Sequence, residues 1–101
     1  MTREAKTTSW RERAKMLQLR TEAFIDGEYR PAASGETFVC INPATGKAIA
    51  QIAACGSRDV EIAVASARRA FDDGRWSRMA PASRKKVLLR FSELIRKHRE
   101  E

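Results

Sequence analysis

Three side chains in this sequence have the chemistry of a nucleophile, a base or a soft metal ligand: Cys40, Cys55 and His98. A thiol becomes reactive when a base or a positive field draws off its proton. Zinc needs several thiolate or imidazole ligands at short, regular spacing. Neither cysteine belongs to a CxxC pair, and the single histidine lies far from both in sequence, so the spacing supports no metal-thiolate centre. Cys40 falls in an alternating apolar run and reads as a small strand residue. Cys55-Gly56 reads as the loop entering a helix. Free cysteines are most often buried hydrophobes, and His98, which continues an apolar helix face, reads as the rim of an interface. No glycine-rich phosphate loop follows a strand anywhere in the chain. The residues therefore offer no catalytic set, no cofactor site and no side-chain metal site.

Charge is the next possible carrier of function. The chain has 101 residues and a net charge of +7. Residues 1–22 carry six basic and three acidic side chains (+3), residues 23–74 five and seven (−2), and residues 75–101 nine and three (+6). A basic excess can serve nucleic acid or an anionic membrane, or it can be the wet side of a helix. Arg84, Lys85, Lys86, Arg90, Arg96, Lys97 and Arg99 mostly avoid the apolar stripe of their helix. No aromatic residues interleave them as a base-stacking platform requires. Solvent is the expected partner, with no nucleic acid and no membrane. No run approaches the roughly 18 apolar residues that span a bilayer. The Arg-rich leader lacks an apolar signal core and contains Glu4 and Glu12, against a transit peptide. The expected location is cytoplasmic.

The elements that would position any site are legible from their punctuation. Residues 1–8 read as disordered. Ser9 with Glu12 forms a capping box for a short helix reaching about Leu19, with Trp10, Ala14 and Leu17 on one side as a docking face. Strands are expected at about 23–25, 28–30, 37–41 and 47–53. Asp26-Gly27 makes a two-residue hairpin turn, and Asn42-Pro43-Ala44-Thr45-Gly46 a second turn. Two-stranded ribbons are marginal alone and must lie on something larger. Ser57 is the expected N-cap of a helix ending near Gly74, with Asp59 in its first turn and an apolar stripe at Val60, Ala63, Val64, Ala67, Ala70 and Phe71. Its alanines suit close packing against another helix. Pro81 opens a last amphipathic helix through Val87, Leu88, Phe91, Leu94 and Ile95 that runs to Glu101 without a stop signal, as if continued beyond it. The two helices are expected to face each other or a common sheet through Val64, Ala67, Phe71, Leu88, Phe91 and Ile95.

Taken in order, the blocks Phe24-Ile25-Asp26-Gly27-Glu28-Tyr29, Ile41-Asn42-Pro43-Ala44-Thr45-Gly46 and the Ala-rich run closing at Gly74-Arg75-Trp76 resemble the N-terminal segment of the aldehyde dehydrogenase superfamily. The likeness covers roughly Phe24 to Glu101. Within it, the Trp10 leader, Phe24 to Tyr29 and Gly74 to Ser77 are most similar to the branch that acts on betaine aldehyde and on amino-aldehydes such as γ-glutamyl-γ-aminobutyraldehyde. The resemblance implies an α/β fragment: a leader and docking helix at residues 1–22, then the N-terminal part of a coenzyme-binding domain at 23–101. It implies oxidation of an aldehyde to an acid with NAD or NADP in the full-length enzyme, and neither coenzyme nor aldehyde bound by this chain alone. The family's nucleophile, general base, oxyanion donor and nucleotide contacts lie downstream of the matched region, so none is assigned to a residue here. One minor site carries over: many members hold a monovalent cation on backbone oxygens near the position of Cys40-Ile41, which assigns the Ile41 carbonyl as one ligand. The partners implied are the remainder of a dehydrogenase or homologous subunits.

Two other classes fit the composition. A small basic module using the +6 C-terminal region would bind nucleic acid with steep salt dependence. An interaction fragment would dock its apolar helix faces onto another protein, such as a dehydrogenase subunit, and would change size with that partner.

Overall fold

The computed structural model describes residues 9–100 and contains three helices and four strands in the order α1 (Trp10–Lys15), β1 (Ala23–Ile25), β2 (Glu28–Arg30), β3 (Thr37–Ile41), β4 (Ala48–Ala53), α2 (Ser57–Asp72) and α3 (Pro81–Lys97). The expectations for residues 1–8 and Glu101 lie outside the described residues. The strands form two separate antiparallel ribbons, β1-β2 and β3-β4, giving the mixed α/β fragment that the sequence implies.

In the first ribbon Phe24 stands opposite Tyr29, and their rings lie 5.0 Å apart in a tilted pair. The Arg20 guanidinium covers the tyrosine ring at 4.7 Å. The hairpin turns on Asp26 and Gly27, at φ 54° and 79°. Positive φ at both central residues is the geometry whose twist matches that of the strands. In the second ribbon Thr37 pairs with Ala53 and Cys40 with Ala50, but Ile41 pairs with Ala48, so Ile49 is skipped in a bulge. The turn beyond it is held by Asn42: its side-chain oxygen accepts from the Ala44 N–H at 2.9 Å and its carbonyl from the Gly46 N–H at 2.8 Å. The Thr21 carbonyl accepts from the Ala53 N–H at 2.8 Å, tying the second ribbon to the lead-in of the first.

The helices form where their sequences dictate, with three differences at their bounds. Ser9 and Glu12 form the expected capping box on α1, yet the helix ends at Lys15 instead of near Leu19. A single turn or two without tertiary cover cannot propagate itself. In α2 the N-cap is Gly56, not Ser57, because Gly56 adopts the extended conformation and Ser57 is already helical. Gly56 has no side chain to cap with, and the carboxylate of Asp59 takes over part of that role. Pro81 stands at the start of α3, where its missing N–H costs nothing. That helix stops at Lys97, with His98 as its C-cap, short of the expected continuation to Glu101.

The covered face of α2 consists of Asp59, Ile62, Ala63, Ser66 and Ala70, at helical spacing. It lies against β1 and not against a helix, which corrects the expectation drawn from its alanines. Small side chains do allow close approach, but what approaches is the hairpin. The apolar residues Val60, Val64 and Phe71 point away and are exposed. α3 makes no extensive packing with any other element, so the expectation that α2 and α3 face each other or a common sheet is left to the remainder of the enzyme that the resemblance implies. Its residues Val87, Leu88, Phe91 and Ile95 are about half exposed or more. Among the described residues only Ala32, Asp59 and Gly74 are buried. The radius of gyration is 19.3 Å, against about 13 Å for a compact chain of this length.

Candidate functional site

The most organised polar position is Asp59, on the first turn of α2. Its side chain is 4% exposed. One carboxylate oxygen accepts from the Gly56 N–H at 2.9 Å, and the other accepts from the Ala33 N–H at 2.9 Å. The first bond satisfies an otherwise orphaned group at the helix start. The second pins the loop between β2 and β3, beside the buried Ala32, to that same start. Both donors favour the ionised form, as does the Arg30 charge, and together they outweigh desolvation to hold the carboxyl below its usual range. The turn chemistry of this junction therefore joins three segments through one side chain.

A second junction fixes the hairpin tip. Ser66 donates to Asp26 at 3.0 Å, and Arg69 stands 3.5 Å from the same carboxylate. Around them Phe24, Ala63, Ala67, Ala70 and Arg75 line a shallow open groove of about 380 Å³ between the hairpin and α2. At the end of α2, Asp73 accepts from the backbone and guanidinium of Arg75 at 2.9 Å. This lowers the pKa of Asp73 and raises that of Arg75. Gly74 between them has φ 73°, the left-handed position that closes the helix.

These junctions are structural, and the chemistry of the groups singled out by type does not converge. Cys40 is half-buried in β3, Cys55 is exposed in the loop before α2, and His98 caps α3, a helix with no extensive packing on any other element. No group of three His, Cys, Asp or Glu side chains among the described residues is placed to hold a metal ion. The Ile41 carbonyl sits at the end of β3 beside the bulge. A hard cation needs several oxygen ligands, and one carbonyl on a two-stranded ribbon does not make a shell.

The connection from β4 through Ala54-Cys55-Gly56 into α2 has the strand-loop-helix form that binds phosphate in nucleotide sites. Here the Asp59 carboxylate accepts from the Gly56 N–H at the helix start, which places a negative charge where a phosphate would otherwise be drawn. No helix among the described residues is long and apolar enough to cross a membrane. Sequence reasoning placed Asp59 in the first turn but missed its bond to Ala33. An acidic residue three positions after Gly56 was the available signal for the cap, and nothing in the spacing announces a partner 26 residues away.

The same order of ribbons and helices recurs in known proteins. The aldehyde dehydrogenase family pattern matches residues 29–101. The aminoacetaldehyde dehydrogenase of Pseudomonas aeruginosa is 56% identical over 85 residues, covering 84% of this chain and 17% of that protein. The crystal structure of γ-glutamyl-γ-aminobutyraldehyde dehydrogenase from Burkholderia cenocepacia superposes with a TM-score of 0.83 at 48% identity, over 88% of this chain and 18% of that one. The P. syringae indole-3-acetaldehyde dehydrogenase AldA, solved in complex with NAD+, superposes at 0.80 with 51% identity, over 87% and 18%. This chain thus spans less than a fifth of the length of these relatives. With the ordered turns and ribbons in the same places, the chain belongs to the aldehyde dehydrogenase family and corresponds to its N-terminal region.

Proposed function

We propose that this chain is the N-terminal segment of an NAD(P)-dependent aldehyde dehydrogenase acting on amino-aldehydes, with γ-glutamyl-γ-aminobutyraldehyde or a related compound as substrate. Its own role is structural. The observation that carries the reading is the pairing of sharply defined local junctions, at Asp59, Asp26 and Asn42, with apolar helix faces that stand exposed among the described residues. Such a segment is built to be laid against a larger body. Residues 23–101 would form the outer part of a coenzyme-binding domain in the cytoplasm, and residues 1–22 a leader with a docking helix. NAD or NADP, the aldehyde and the catalytic cysteine belong to the remainder of the enzyme. The Ile41 carbonyl supplies at most one oxygen to a monovalent cation whose other ligands come from that remainder.

A chimera tests this reading. The 85-residue segment matched in the P. aeruginosa aminoacetaldehyde dehydrogenase is replaced by the corresponding residues of this chain, and NADH formation from aminoacetaldehyde is followed by absorbance. A soluble, active chimera supports the proposal. A chimera that folds and assembles yet binds no NAD+ and turns over no aldehyde counts against it.

A further inference from the structure

We draw no further inference here: the strongest candidate, the unpartnered apolar face of α3 formed by Val87, Leu88, Phe91 and Ile95, carries nothing beyond the reading above because nothing in the structure shows what covers it.

Discussion

Purified alone, the 101-residue chain should not unfold as a cooperative domain, and the size of the deficit follows from its surface. A compact protein of 11.4 kDa exposes about 5,800 Å². This chain exposes 9418 Å², an excess of about 3,600 Å² over that compact reference. With roughly 55–60% of protein surface apolar, about 2,000 Å² of that excess is apolar area. At about 25 cal/mol per Å² the unburied area corresponds to ~50 kcal/mol of hydrophobic stabilisation that the chain alone does not realise. That gross term is what opposes conformational entropy in a folded domain, and the net left over is only about 5–15 kcal/mol, so losing even a fraction of it removes a cooperative native state. Scanning calorimetry checks it directly. A folded domain of this length absorbs about 70 kcal/mol at its midpoint. The expected trace is flat, with residual helix in the far-ultraviolet circular dichroism and little near-ultraviolet signal from Trp10 and Trp76. A concentration-independent transition near 70 kcal/mol, from a monomer with a radius of gyration near 13 Å, would refute the reasoning.

The stability predictions that remain use the chimera as the folded host. Phe91→Ala should leave the circular dichroism of the isolated chain unchanged, since Phe91 is 60% exposed there. In the chimera it should cost about 3 kcal/mol in urea unfolding if the enzyme body covers it; no loss there would overturn the assignment of this face. Gly27→Val should destabilise the chimera by about 1–2 kcal/mol, because φ 79° is strained for a branched side chain although the space beside it is open. A neutral result would remove the left-handed turn from the account. Asp59→Asn should lower the melting temperature at neutral pH, because its single neutral amide oxygen can accept from only one of the Ala33 and Gly56 N–H groups and leaves the other without an acceptor. The Asp59 carboxyl is held below its ordinary value of 3.8, so its contribution is present above that pH and is lost as pH falls through the lower folded value. The gap between Asp59→Asn and the unmodified chimera should therefore close in acid below pH 3.8, and a gap that widens there would contradict the assignment. Any binding of the isolated chain to labelled duplex DNA should be weak and vanish by about 0.2 M salt; persistent binding would favour the basic-module reading.

What was legible in the sequence was what neighbouring residues settle among themselves. Asp26-Gly27, Asn42 to Gly46, Ser9 with Glu12, Gly74 and Pro81 each act within one turn of the backbone, and the structure places all of them as their types require. The family was legible too, because those local signals recur in a fixed order. Three helix bounds were missed locally, the end of α1, the N-cap of α2 and the end of α3; the other misses are tertiary. The α2 stripe was read from its apolar residues, of which Ala63 and Ala70 are on the covered face, whereas that face also runs through Asp59 and Ser66, polar residues held by Ala33 and Asp26. The expected contact between α2 and α3 rested on complementary periodicity, which specifies that a face must be buried but not against what. The proposed cation ligand at Ile41 rests on the family resemblance alone, since every residue has a carbonyl and residue chemistry does not single one out.

The central claim, that this chain is a scaffold without chemistry of its own, is tested most directly by mixing the purified chain with NAD+ or NADP+ and an amino-aldehyde and following absorbance at the NADH band. Oxidising an aldehyde this way needs an activated thiol, an oxyanion donor and a held nicotinamide. Cys40 lies in β3, Cys55 in the loop before α2 and His98 at the end of α3, and the Asp59 carboxylate stands at the α2 start. The predicted rate equals that of buffer. Turnover by the pure chain that disappears in Cys40→Ala or Cys55→Ala would contradict the account.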